Sequence, residues 1–312
     1  MQKRQEGAAT PPPTRLRALA DAPYLLMLLP GLFWAGNSIV ARSIAGDVPP
    51  IGLAFWRWTA AAILVAPLAW PHLRRDMPLM LKSWPRMLLL ATLGIAIFNT
   101  LLYLGAQSTT ALNLVMLQTI MPIMVVVASF LIFGETVTGR QAAGIAASLA
   151  GALVLVSHGD PAVLTHLDFN RGDLWMLAAI VSYAAYTALL RLRPAVHGLS
   201  FAFATFAIGA VLLLPVYIGE TLLAKPMPVT ATSVLAIAYV ALFASILAYL
   251  AYNRVVELLG ANTAGLTVHL VPVFGVILAV LLLGETLHVH HGLGIALIAA
   301  GLWLATRKPA SA

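Results

Sequence analysis

Apolar residues along this chain fall in runs of about twenty, the length needed to cross a hydrocarbon core, separated by short clusters of Gly, Pro and charge. Reading windows between those clusters predicts spans at 23–44, 51–70, 84–107, 110–133 and 139–156, then at 172–192, 199–218, 230–253, 261–283 and 288–306. Where water is absent a helix satisfies its own backbone groups. The expected fold is therefore all-α and integral to a membrane, with ten transmembrane helices.

The windows repeat. From Pro122 the chain reads PIMVVVASFLIFGETVTGRQAAGIAASLAGALVLV, and from Pro272 PVFGVILAVLLLGETLHVHHGLGIALIAAGLWLAT. A constant offset of 150 residues superposes Gly134-Glu135-Thr136 on Gly284-Glu285-Thr286, Gly144 on Gly294 and Gly151 on Gly301. Earlier, AFWRWTAAAILVAP from Ala54 aligns with AFATFAIGAVLLLP from Ala202, Arg42 falls on Arg191 and Trp34 on Tyr183. The unit is thus five helices. An odd number of spans makes the second copy enter from the opposite side, an inverted repeat of the kind that forms secondary transporters, with the binding site near the midplane between the halves.

The chain is 61% hydrophobic and 9% charged, against a soluble norm of roughly half apolar and a quarter charged. The net charge of +7 does not point to nucleic acid, because the cations sit between apolar runs and form no basic stripe. They orient the chain instead. With the amino terminus inside, Lys3, Arg4, Arg15, Arg17, Arg74, Arg75, Lys82, Arg86, Arg140, Arg191, Arg193, Arg254, Arg307 and Lys308 lie inside, against Arg42, Arg171 and Lys225 outside. The bias puts both termini in the cytoplasm. Residues 1–21 are basic and Pro-rich and read as a disordered cytoplasmic tail, 22–157 as the first repeat, 158–171 as an outside linker, 172–306 as the second repeat and 307–312 as a short tail. With no cysteine, thiol chemistry and disulfides are excluded.

The segments LFWAGNSIVAR, FWRW, LQTIMPIMVV and FGETVTGRQAAG, with their second-half counterparts, resemble the EamA-type branch of the drug/metabolite transporter superfamily over nearly the whole chain after Asp21. The resemblance implies a ten-helix carrier in a bacterial inner membrane, with a central cavity and with the fifth and tenth helices as peripheral supports. Members near it export amino acids, aromatic ones among them, and some toxic compounds. No cofactor is implied, and the partners are a small-molecule substrate and the lipid bilayer, with the chain a monomer or weak homodimer.

Polar groups inside the spans mark a candidate binding site. They are Trp34, Asn37 and Ser38 on the first span, Asn99 and Tyr103 on the third and Gln118 on the fourth. In the second half they are Tyr183 and Tyr186, Ser245 and Tyr249, and Thr267 with His269. Several recur at spacings of three or four and so share a helix face. Pro122 and Pro272 are candidate hinges, since each lacks an N–H and frees the carbonyl four residues earlier, at Gln118 and Val268. Arg57 is the one intramembrane cation, and it is expected to snorkel to the outer interface or to pair with a carbonyl, with a substrate carboxylate as the alternative. His269 reads as a neutral hydrogen-bonding residue rather than a proton carrier. Glu135 and Glu285 sit just before helix amino termini, where a negative charge suits the macrodipole. Ala143, Ala147 and Gly151, and Gly292, Ala296 and Ala300, form small-residue stripes suited to close packing. His288, His290 and His291 alone make a poor metal site, so no metal is expected.

These features favour export of amino acids or related small metabolites by alternating access. No mid-span carboxylate is present for cation antiport, and no GxxxxGK[ST] for ATP. A sugar-phosphate or nucleotide-sugar carrier would need several cations at the cavity. An integral-membrane hydrolase or acyltransferase would need G-x-S-x-G, H-E-x-x-H or paired carboxylates, none of which occurs, so no enzyme is expected.

Overall fold

Ten helices long and apolar enough to cross a membrane follow one another in a computed structural model that describes residues 22–44, 46–165, 169–283 and 286–306. The two tails, Gly284, Glu285 and the side chain of Arg42 lie outside the described residues. In the first half α1 is Pro23–Ser43, α2 Pro50–Lys82, α3 Trp84–Ser108, α4 runs in two pieces, Ala111–Gln118 and Met121–Phe133, and α5 is Gly139–Val156. In the second, α6 is Arg171–Leu192, α7 Gly198–Leu223, α8 Ala231–Leu259, α9 runs from Ala261–Gly265 through a tight turn at Leu266–His269 to Leu270–Leu283, and α10 is Val289–Thr306. Among the described residues there is no strand.

The repeat extends to irregular backbone. Both third helices widen into a π-turn at matching places, Thr92–Ile97 in α3 and Val240–Leu247 in α8. Both fourth helices break just before their proline, at Thr119–Ile120 in α4 and over Leu266–His269 in α9. The breaks follow from the missing proline N–H and the crowding of its ring against the preceding turn. Side chains quiet the π-turns: Ser245 Oγ donates to the Val240 carbonyl at 2.9 Å, and Asn99 Nδ2 to that of Ile95 at 3.1 Å.

The halves interlock around the cavity as two inverted copies. The first helix of each packs on the third and fourth of the other, α1 against α8 and α9, and α6 against α3 and α4. Equivalent residues meet where α2 packs on α7, with the rings of Trp58 and Phe206 5.0 Å apart. Glu220 of α7 caps the start of α2, accepting from the backbone N–H groups of Ile51 at 3.1 Å and Gly52 at 2.7 Å.

Three expectations need correction. The second span does not stop at Trp70: α2 runs on through Pro71 and Pro78 to Lys82. The extension is held from outside itself, by Asp76 accepting the His197 N–H at 2.9 Å and by the His72 ring stacked 3.6 Å from that of His197. Glu135 does not serve the start of α5, because it pairs with Arg191, while a capping box of Thr138 and Gln141 closes that end. The small-residue stripes are rotated. Ala143, Gly292, Ala296 and Ala300 are exposed, whereas Gly144, Ser148, Gly151, Gly294 and Gly301 are buried where α5 and α10 cross antiparallel. A Cβ on Gly144 would stand 2.7 Å from the Gly301 carbonyl oxygen, and one on Gly151 2.6 Å from that of Gly294.

Candidate functional site

The cavity between the halves has Arg57 in its wall. This side chain is 2% exposed. Its Nε donates to Ser245 Oγ at 2.6 Å, Nη1 to Tyr103 OH at 2.9 Å and weakly to Asn37 Oδ1 at 3.5 Å, and Nη2 to the Ala244 carbonyl at 2.9 Å. The guanidinium carbon also lies 4.8 Å from the centre of the Trp58 ring. Of the two structural expectations, pairing with a carbonyl holds, at Ala244, and snorkelling does not, because partners from α1, α3 and α8 satisfy the fork internally. Among the described residues no carboxylate pairs with Arg57; ion pairs stand elsewhere, at Arg75–Asp76, Arg191–Glu135, Arg193–Glu257 and Arg254–Glu257. A buried cation held by neutral dipoles alone is an unneutralised charge, which proteins seldom keep without a use.

Trp34, Asn37, Ser38, Asn99, Gln118, Tyr183 and Tyr249, all predicted from the sequence, line this cavity together with Arg57, Phe98 and Val268. It encloses about 100 Å³. At the roughly 10–15 Å³ that one water needs, that is room for a handful of waters or one small solute. Gln118 and Val268, each four residues before a proline, are both in the lining. The wall reaches Ala41, Ala106 and Thr109 at the ends of α1 and α3, so the cavity extends to that face of the protein.

Toward the opposite face, tyrosines fill the space. Tyr183 lies 5.4 Å from Tyr186, 5.7 Å from Tyr252 and 6.3 Å from Tyr249, and the Trp34 ring is 5.4 Å from Tyr252. Beyond them Tyr186 donates to Asn253 Oδ1 at 2.9 Å, Thr187 bonds Tyr252 at 3.0 Å, and Arg193 pairs with Glu257. The Tyr183 hydroxyl is buried and has no hydrogen-bond partner. Gly94 makes the stack possible, since a Cβ there would strike the Tyr186 ring.

The remaining predicted residues stand behind the wall. Tyr103 and Ser245 hold Arg57, as above. Thr267 is fully buried in the α9 turn. His269 is buried and joins the two broken helices: its Nε2 meets the Thr119 carbonyl at 2.8 Å and its Nδ1 the Ser148 hydroxyl at 2.6 Å. A carbonyl only accepts, so Nε2 carries the proton and Nδ1 accepts from Ser148, a neutral imidazole fully satisfied. Thr119 and His269 are 150 apart, so this contact joins equivalent positions of the two repeats. Sequence reasoning missed a second network, Asp173 at the start of α6, which accepts from Thr109 Oγ1 at 2.6 Å and Asn113 Nδ2 at 3.1 Å. Its signal was a capping box, with Asn170 and Asp173 three apart.

The profile of the EamA-like transporter family matches residues 22–157 and again 170–307. An uncharacterized transporter of Archaeoglobus fulgidus is 28% identical over 91% of this chain and 97% of its own length. The uncharacterized transporter YyaM of Bacillus subtilis is 27% identical over 91% of this chain and 93% of its own. A probable terminal-alkyne amino-acid exporter of Streptantibioticus cattleyicolor is 27% identical over 90% and 92%. A solved crystal structure, 19% identical, superposes with a TM-score of 0.74 over 91% of this chain and 96% of that one, which shows a common fold.

Proposed function

The chain belongs to the EamA-like transporter family, and from that premise we propose that it is a secondary carrier exporting amino acids, aromatic ones among them, or related small metabolites and toxic compounds across a bacterial inner membrane. Residues 22–157 and 172–306 are the two halves that alternate access, and 158–171 is the outside linker between them. The observation that carries the substrate class is Arg57, a buried guanidinium in the cavity wall without a carboxylate partner. A substrate carboxylate supplies the missing counter-charge. Around it Trp34, Phe98, Tyr183 and Tyr249 offer an apolar, π-rich wall for a side chain and for an ammonium group, and the free Tyr183 hydroxyl offers one more hydrogen bond. The name of the Streptantibioticus relative points the same way. A phosphate-bearing substrate fits less well, because among the described residues Arg57 is the only basic one in the lining.

The test is flux. Purified protein in liposomes should move an amino acid saturably, in competition with other carboxylate-bearing amino acids and not with the corresponding amines. No flux for any member of a broad amino-acid panel overturns the assignment.

With both termini cytoplasmic, the mouth near Ala41 and Thr109 faces outward and the tyrosine stack closes the inner side. For substrate to enter from the cytoplasm, the Arg193–Glu257 pair between the α6–α7 connection and α8 has to part. Glu257→Gln should shift the population toward the inward-open form by about two- to five-fold, the effect of roughly 0.5–1 kcal/mol for a partly exposed pair. Because the chain has no cysteine, Leu250→Cys, in the recess that Arg193, Asn253 and Glu257 also line, reports this directly through its rate of labelling from the inner side. An unchanged rate would remove the pair from the gate.

A further inference from the structure

Outside the cavity, the turn that leaves α5 meets the first turn of α10, and there His158, His290 and His291 bring three ring nitrogens within 4.8 Å of one another. The sequence shows only the α10 members as neighbours, because His158 arrives from the other repeat. Its approach is built by backbone that few residues adopt. His158 has φ 54°, the only positive value on a non-glycine among the described residues, and Gly159 follows at 76°. A Cβ on Gly159 would stand 2.8 Å from the Cβ of His290, so glycine is what lets the turn lie against that ring. His290 Nε2 is buried without a hydrogen-bond partner, a polar atom that a folded chain seldom leaves unmet. His291 Nδ1 accepts the His288 N–H at 3.1 Å, which fixes it as an unprotonated nitrogen.

We propose that His158, His290 and His291 bind a divalent transition metal, zinc foremost, and so fasten the end of the first repeat to the last helix of the second. Imidazole nitrogens suit zinc, and three of them with one water complete its tetrahedron. Nitrogens at about 2.0–2.1 Å from a tetrahedral zinc stand about 3.4 Å apart. The nitrogens now lie within 4.8 Å of one another, so binding draws them together by up to about 1.4 Å.

The full-length chain, purified through a tag without histidine and held in detergent, is dialysed against zinc alone and titrated with cobalt as a visible-absorbing probe. We expect one zinc per chain, a tetrahedral-type cobalt spectrum that zinc abolishes, and a melting temperature raised by zinc. His158→Ala and His290→Ala should each weaken zinc binding by more than about 100-fold, beyond the roughly 10- to 100-fold that loss of a ligand's supporting partner causes. His288→Ala, whose ring lies outside the set, should keep it. Size-exclusion profiles of the variants confirm that each is folded. Absence of stoichiometric zinc in the unaltered chain overturns the proposal, and so does zinc held as tightly after His158→Ala, which would confine any ion to α10.

Discussion

Replacing Arg57 with methionine lowers the apparent affinity for a carboxylate-bearing substrate by about 10- to 150-fold, the loss of a charge-assisted hydrogen bond worth roughly 1.5–3 kcal/mol. The protein stays folded. Exchanging a buried, unneutralised ion for an apolar side chain of similar length is often neutral or stabilising, and here the groups that held the guanidinium keep other partners. Ser245 Oγ still donates to the Val240 carbonyl at 2.9 Å, the Ala244 carbonyl still accepts from Trp34 Nε1 at 3.2 Å, and Tyr103 OH remains 3.4 Å from Asn37 Oδ1. Arg57→Lys retains the charge without the planar fork and should fall between the two. The measurement is competition by an amino acid and by the amine that lacks its carboxyl, in the same liposomes. If methionine weakens both equally, Arg57 shapes the wall and does not read the carboxylate; if it weakens neither, Arg57 lies outside the site.

The seam between the halves was legible because repetition survives in composition. The repeated prolines, Pro122 and Pro272, marked the fourth helix of each half as irregular, and both helices are interrupted just before them. The spacing of Trp34, Asn37 and Ser38 put those side chains on one face, and that face lines the cavity. What was not legible depends on partners far along the chain. For Arg57 snorkelling and pairing with a carbonyl both stayed open, because its depth along α2 says nothing of Ser245 and Ala244, which approach from α8 and hold it. The π-turns carry no signal, since widening a helix by one residue changes neither its hydropathy nor its turn residues. His158 and the α10 histidines are far apart in sequence and meet only because α5 and α10 pack antiparallel.

The misplaced stripe on α5 and α10 has a more general cause. In a soluble helix the buried face is the apolar one, so its period can be read from the sequence. On α10 the lipid-facing side is apolar as well: Leu293 and Trp303 are exposed, while the tightly packed positions of the pair include Gly144, Ser148, Gly151, Gly294 and Gly301. Small residues stand at 143, 147 and 151 and also at 144, 148 and 151, so size alone does not choose between the two faces. Burial chooses the second.

That choice makes Gly151 a position where a side chain does great harm. Gly151→Leu should destabilise the protein by at least about 1–3 kcal/mol, the usual range for forcing added atoms into a packed interior. The upper end is expected, because the atom met is the Gly294 carbonyl oxygen, 2.6 Å from the new Cβ, and backbone cannot turn aside as a side chain can. The α5–α10 pair would have to separate, and with it the contact of Ser148 with His269, which ties α5 to both broken helices. Gly292→Leu is the matched control, since a Cβ there meets nothing within 4 Å and faces the surrounding lipid. Thermal unfolding in detergent, followed by the loss of monodisperse protein, should show Gly151→Leu melting well below the unaltered chain and Gly292→Leu close to it. Equal losses in the two variants would mean that the helices meet on the other face. The antiparallel crossing through Gly144, Gly151, Gly294 and Gly301 would then be misassigned.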